Sequence, residues 1–473
     1  MRKVQVVLAL IAGLGAAGHA MAAPAPAPLP PAADVADARA IFKELVETNS
    51  THAHGSTAAA ELIRTRLLAA GFAAGDVQLL APTDKPTKGN LVVRYRGKGK
   101  LKPILFMGHL DVVEALPQDW SVDPFKLTEK DGYFYGRGTI DMKDGDAALT
   151  DALVRLKRQG YAPERDIIVM FTADEEAGGD ANGPAWLLKT HRELIEAETA
   201  YNFDGGGGAI QDSRRLFYEI GTSEKVYLTF TLETTGPGGH GSLPGKVNPI
   251  YTLADGLQRL EAYRFPVMTT ATTRASYKAL AGLQPGPDSA DRLAVSGPTP
   301  DLAAAERLSA GAYDNAQLRT TCVATLISGG HAENALPQRA KSTVQCRLLP
   351  GDTAENVKAT LVKVLADPKI SVTQDMAPII SPESPPTPEV MARIGAVVHS
   401  MWPGVALLPA MATGFSDDRQ TRNAGIPSYD VSGMWSDEGE NRAHGRDERV
   451  GVAAFDESVE YAYRLMKALG SGK

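Results

Sequence analysis

The stretch 167-IIVMFTADEEAGG-179 decides how the chain folds. Its first five residues, Ile167 to Phe171, are apolar at every position and β-branched at the start. A strand exposed on one face alternates apolar and polar side chains, whereas a strand covered on both faces, as in a parallel sheet, does not. The stretch therefore predicts a central strand, with Asp174, Glu175 and Glu176 at its carboxyl end. In an open α/β sheet that rim is where ligands bind. Adjacent side chains leave an extended strand on opposite sides, so Glu175 and Glu176 are expected to point apart.

Outward from that strand the alternation of helix and strand continues. Between Asp34 and about Gly221, helical spacing at Ala40 to Val46, Ser56 to Ala70, DGDAALTDALVRLKRQG and GPAWLLKTHRELIEA separates the strand-like NLVVRY, PILFMGHLD and AYNFDGGGG. Such alternation predicts an α/β domain whose mostly parallel central sheet carries helices on both faces. His109 and Asp111 follow ILFMG, and Asp204 follows AYNF, so three strand ends deliver acids and imidazole to one rim. From about Thr222 the pattern changes to a long alternating strand KVYLTFTLETTG, a helix NPIYTLADGLQRLEAY, the strand pair TTCVATLISGG and AKSTVQCRLLP, and a helix TAENVKATLVKVL. That order predicts a small α+β domain inserted at 222–381 into a larger domain formed by 34–221 and 382–473. No element is assigned to Met268–Arg319, which is rich in Ala, Pro and Gly.

The 473-residue chain opens with Arg2 and Lys3, an apolar run from Val4 to about Ala17, and small residues up to Ala22. This is the layout of a secretory signal peptide over 1–22, and the run is too short for a comfortable membrane span. A proline-rich spacer at 23–33 follows, outside the fold. The mature protein is thus expected to be periplasmic or secreted, and off the membrane. A net charge of −7 and a pI near 5.8 offer no attraction for nucleic acid or an anionic bilayer. Both cysteines, Cys322 and Cys346, would meet an oxidising compartment. If their strands pair about Asn334, the cysteines fall opposite each other. Ala324, Leu326, Val344 and Leu348 then share an apolar face, and Thr321, Thr325, Thr343 and Arg347 a polar one. Either a bridge or two buried thiols fits that register.

His109, Asp111, Asp141, Glu175, Glu176, Asp204 and His444 form a set of carboxylates and imidazoles without a thiolate. Such donors suit zinc, manganese or cobalt in an open catalytic site. In chain order, GHLDVV, YGRGTIDMKDG, FTADEEAGG, NFDGGGG, GPGGHGSLP, NALP with CRLLPG, TGFSDDR and RAHGRDERV resemble the metallopeptidase family of glutamate carboxypeptidase, aminoacylase, succinyl-diaminopimelate desuccinylase and peptidase V, over nearly the whole mature chain. The resemblance implies a phosphorylase/hydrolase-like catalytic domain, an inserted ferredoxin-like lid and dimerisation domain, and two divalent ions, zinc in the first place. His109 and Asp204 match ligands of one ion, Glu176 and His444 those of the other, and Asp141 the carboxylate bridging both. Asp111 matches the acid that orients the His109 imidazole.

Glu175 matches the general base, which takes a proton from a water activated by the two metals and passes it to the departing amine. His240 matches an oxyanion stabiliser, which in dimeric relatives reaches the neighbouring subunit's site. Asn334, Arg347 and Gly414 match positions that hold a substrate carboxylate, the arginine by a bidentate grip that lysine could not reproduce. The implied activity is cleavage, by a homodimer, of a peptide or amide bond next to a free carboxylate, in a small peptide or an N-acyl amino acid. Carboxypeptidases, dipeptidases and N-acyl-amino-acid amidohydrolases share that description. Its rivals are an aminopeptidase of related fold, recognising a free amine, and a non-catalytic binding protein on the same frame. Glu114 departs from the family, standing where many relatives have proline. Gly205–Gly208 fits neither dinucleotide nor phosphate-loop spacing, and is read as letting backbone pass close to the metals.

Overall fold

The computed structural model describes residues 27–283, 286–437, 440 and 442–472. The expected signal peptide at 1–22, with the start of the spacer, lies outside them. Arg165–Thr172 is a central strand, buried from Ile167 to Thr172. It runs antiparallel to Asn90–Tyr95 on one side and parallel to Leu101–His109 on the other. Ile167, Val169 and Phe171 enter one core with residues of helices Lys143–Arg158 and Val452–Gly470, while Ile168 and Met170 pack on the opposite face with Leu187 and Ile195. Each such side chain contributes about 1.5–3 kcal/mol by burial. With both faces dry, polar groups can leave this strand only at its end.

The sheet has ten strands and is parallel through its middle, where Leu101–His109, Ala200–Asn202 and Ser428–Asp430 run alongside one another. Antiparallel pairs flank that middle on both sides. Register then does the positioning: His109 pairs with Thr172, and Met107 with Asn202. The residues just past three strand ends therefore meet on one rim.

A second, four-stranded antiparallel sheet has the order Thr321–Gly329, Arg339–Leu348, Val226–Thr235, Ser371–Gln374. Leu228, Phe230, Leu232, Val344 and Cys346 pack against Leu253, Val357 and Leu361 of helices Pro249–Ala262 and Ala354–Leu365. Strand order and connectivity are those of a ferredoxin-like sandwich. Where the chain leaves the large sheet, Glu224 accepts hydrogen bonds from Ser381 and Ser416 and pairs with Arg422. Nearby, the Ser384 amide donates to the Thr222 carbonyl at 2.8 Å.

The structure corrects four expectations and fills one gap. Extended backbone ends at Thr172, and Glu175 and Glu176 lie in a turn begun by Asp174 at φ +55°, so strand alternation is not what separates them. GPAWLLKTHRELIEA forms two helices, Gly183–Thr190 and Arg192–Ile195, broken at His191. The end of the expected spacer belongs to the fold, because Ala27 packs into the large core and helix Ala32–Glu47 starts straight after Pro31. Met268–Arg319 holds four short helices, Ala271–Leu283, Pro287–Val295, Leu302–Leu308 and Ala312–Leu318, the first packed on strand Ala406–Ala412 of the large sheet. Finally, Cys322 and Cys346 are paired and bridged, with Cα atoms 4.1 Å apart, but a bulge between Ala324 and Leu326 then shifts the register. Leu326 comes to face Thr343 and is 68% exposed, off the apolar face. Among the described residues no helix is long and apolar enough to cross a membrane.

Candidate metal centre

Two cups of potential ligands form at the rim, His109 with Asp141 and Asp204, and Asp141 with Glu176 and His444. Within each cup the ligating atoms lie within 4.8 Å of one another. Asp141 belongs to both, offering Oδ1 to His109 Nε2 and Oδ2 to His444 Nε2, each at 3.0 Å. Asp204 Oδ1 lies 3.4 Å from His109 Nε2, and Glu176 Oε1 3.0 Å from His444 Nε2. On the far side of the His109 ring, Nδ1 is 3.0 Å from the main-chain carbonyl of Asp111. A carbonyl can only accept, so Nδ1 carries a proton and leaves Nε2 facing the cup, where it can give up its own proton to offer a lone pair to a cation.

The role expected for Asp111 shifts accordingly. Its carboxylate is 3.9 Å from the ring and accepts instead from the amides of Glu175 and Glu176, at 3.1 and 3.2 Å. One residue thus orients the histidine through its backbone and fixes the turn of the two glutamates through its side chain. A second tie on that turn is Lys88, almost buried, whose ammonium reaches Asp174 at 2.6 Å and the His52 carbonyl at 2.7 Å. Asn182 donates to the Asp174 carbonyl and to Asp417, which also accepts from Thr172. Across the site Glu448 accepts the Ile140 amide and pairs with Arg137, which bonds the Gly445 carbonyl at 3.0 Å, steadying the loop that presents His444.

Electrostatics follow from this packing. Burial would lower the pKa of His109, but Asp204 and Asp141 outweigh it and raise it well above 6.5. Hydrogen bonds to Asp141 and Glu176 push His444 up to about 10. Burial lifts Asp204 to about 6 and Asp111 to about 7. For Asp141 burial acts upward too, yet the two histidines bonded to it hold it low. Burial, and next the Asp204 charge, keep the Glu175 carboxyl well above its ordinary range. Protons and cations compete for the same electron pairs here. Three ligand carboxylates, two imidazoles and no thiolate set three negative charges against the four positive charges of two divalent ions, so the residues fit such a pair. Glu175 is outside both cups, 5% exposed, with its Oε1 buried and unpartnered.

The remaining expected residues divide. Arg347 stands opposite Tyr227 in the small sheet, its guanidinium over the Tyr227 and Phe415 rings. His240 and Asn334 come together with each other and not with the cups. His240 is exposed, accepts from Ser242, and shares a two-stranded ribbon with Ala335, while the Asn334 carbonyl accepts the Gly241 amide. Gly414 is exposed, with open space where a side chain would be, so nothing in this single chain demands glycine there. Gly205–Gly208 serves packing: a Cβ on Gly206 would strike the Asp430 carbonyl, and one on Gly208 the Trp435 ring. Close passage past the metals is therefore not why that run is glycine.

A largely parallel sheet whose strand ends build two cation cups around one shared carboxylate defines a metal-dependent hydrolase. The chain belongs to peptidase family M20/M25/M40, whose profile matches residues 105–468. It is 29% identical over 379 residues to the human N-fatty-acyl-amino acid synthase/hydrolase PM20D1, covering 78% of this chain and 74% of that one. With the probable carboxypeptidase S-like 2 of Dictyostelium discoideum it shares 27% over 401 residues, 80% of this chain and 74% of that one. The M20 family metallo-carboxypeptidase Sso-CP2 from Sulfolobus solfataricus superposes with a TM-score of 0.69 at 17% identity, over 92% of this chain and 99% of that one. Bacillus subtilis YXEP, a dinuclear metal binding peptidase, gives 0.58 at 13%, over 92% and 98%. At such identities the solved structures speak for the fold alone.

Proposed function

We propose that this hydrolase cleaves an amide or peptide bond next to a free carboxylate, in an N-acyl amino acid or small peptide, with two divalent ions, zinc first. The observation that carries the reading is Asp141 standing in both cups, with an unpartnered Glu175 carboxyl beside them. When bound, the ions supply Lewis acidity, polarising the scissile carbonyl and bringing the pKa of a water toward about 7. Glu175 accepts that water's proton. Its buried setting lets it hold the proton until the departing nitrogen takes it. Asp111 and Lys88 keep the turn, and so the base, in place. Arg347, with Nη1 buried and unpartnered, suits a substrate carboxylate. The names of the relatives, an N-fatty-acyl-amino acid hydrolase and carboxypeptidases, agree with acid-terminated amides.

The same reading extends to assembly and location. Thr321–Gly329 is an edge strand, and Val323, Leu326 and Ile327 on it are exposed beside Ile250 and Tyr251 of the adjoining helix. An open apolar edge of this kind favours pairing with a second copy, which could carry His240 toward the other subunit's site. A bridged Cys322–Cys346 agrees with export to an oxidising compartment after removal of 1–22. Metal analysis, followed by hydrolysis of N-acyl amino acids and dipeptides before and after chelation, tests the function. Loss on chelation and recovery with zinc is expected. Activity indifferent to chelation, or none on any substrate after zinc or manganese, overturns the proposal.

A further inference from the structure

Beside Glu176, a cavity of about 370 Å³ is lined by Tyr227, Phe415 and Arg419. Arg419 is only 8% exposed, with its guanidinium 4.0 Å from the centre of the Phe415 ring. Arg347 reaches the same ring at 5.1 Å, and Tyr227 meets Phe415 edge-on at 5.8 Å. Arg419 Nε and Arg347 Nη1 are buried without a hydrogen-bond partner. Among the described residues no side chain pairs with either guanidinium. Of the acids nearby, Asp417 is bonded to Thr172 and Asn182, Glu224 to Ser381, Ser416 and Arg422, and Glu176 to His444, while Glu175, the base of the reading above, makes no salt bridge to either arginine.

A buried and a half-buried guanidinium without a paired anion are costly to hold unless a ligand completes them. Resting on the carboxylate reading above, we infer that Arg419 is a second arm of the grip, donating with Arg347 to the one carboxylate of the substrate. The two charges already act on common space, since burial and then, among the neighbouring cations, Arg419 lower the pKa of Arg347. One carboxylate has lone pairs for both forks. A second acid group on the substrate is disfavoured by Glu176 and Glu224 in the same wall, which also holds Lys225 and the apolar Val226, Met376, Ala377 and Ile379. The substrate class is therefore an N-acyl amino acid or peptide with one free carboxylate.

The zinc-loaded enzyme is assayed on N-acetyl-leucine and on its carboxamide, as wild type, Arg347→Met and Arg419→Met, with thermal shift by leucine as a readout apart from turnover. Wild type is expected to favour the acid strongly. Arg419→Met should cut the acid-to-amide ratio of kcat/KM at least tenfold, mainly through KM, and erase the thermal shift. If Arg347→Met removes the preference while Arg419→Met keeps it within twofold, Arg419 only braces Phe415 and the inference fails alone. A wild type indifferent to acid or amide defeats the carboxylate reading as well. Should Arg419→Met not fold, Arg419→Lys, which keeps stem and charge but not the fork, is expected to lower the ratio by less. An unchanged ratio there also overturns the inference.

Discussion

In the large sheet, Arg165–Thr172 buries every residue from Ile167 on, whereas in the small sheet Val226–Thr235 buries Val226, Leu228, Phe230 and Leu232 and turns Tyr227, Thr229, Thr231 and Glu233 outward. The first strand has no face to give to chemistry, so its polar residues gather beyond its end, beside those of its neighbours. The second can offer side chains along its length, and Arg347 looks out of the sheet opposite Tyr227. Sheets dry on both sides concentrate function at rims, and half-covered sheets spread it over a face.

The largest expected effect tests the rim. Glu175→Ala should lower kcat by about 10²–10⁴-fold, the scale of lost proton transfer, and still bind metal. Glu176→Ala should lose metal too. Metal content and steady-state rates decide, and equal metal with similar rates in both variants would break the division of labour. Next comes the dry strand itself: Phe171→Ala should destabilise by about 3–5 kcal/mol in denaturant unfolding. A loss under 1 kcal/mol would mean that the face shared by Ile167, Val169 and Phe171 is not closed.

A milder effect concerns pH. Asp204 and Asp111, lifted from 3.8 to about 6 and about 7, and His444, lifted from 6.5 to about 10, all bind protons more tightly folded than unfolded. Stability from such groups is lost as pH rises through their folded values. The chelated protein should therefore lose Tm between about pH 4 and 10, and the Tm gained on adding zinc should grow over the same span, because the ion replaces those protons. A gain independent of pH would exclude the proton competition. Smallest is the edge of the half-covered sheet. Leu326→Ser should change monomer stability by no more than about 0.5 kcal/mol, yet raise the monomer fraction in sedimentation. Unaltered association would remove that edge from the proposed dimer contact.

Much of this was legible in the chain itself. Uniform apolarity of Ile167–Phe171 marked a strand covered on both faces, and the acids after three such runs marked the rim, because burial leaves them nowhere else. The donor types of His109, Asp141, Glu176, Asp204 and His444 pointed to hard cations, although their pairing into two cups came from resemblance. What stayed hidden lacks a local pattern. Lys88 meets Asp174 across 86 residues. The part that Asp111 plays depends on which of its oxygens faces which neighbour, and spacing cannot tell a carbonyl from a carboxylate. The bulge after Ala324 leaves no composition mark, so the register beyond it was misread. Helices between Ala271 and Leu318 are short and rich in small residues, so their apolar stripe is too thin to stand out.

Glu224 receives both Ser381 and Arg422, and Thr222 holds the Ser384 amide, so the two crossings between the sheets run side by side. A segment whose ends already touch can be lifted out or exchanged with little disturbance to what it leaves. Residues 226–380 thus form a cassette, joined to the large sheet also where helix Ala271–Leu283 packs on strand Ala406–Ala412: the two cups stay with one parent in any chimera, while Arg347 and the edge proposed for subunit pairing travel with the other. Recombination between relatives could in this way change what is recognised without touching the rim where bonds are broken.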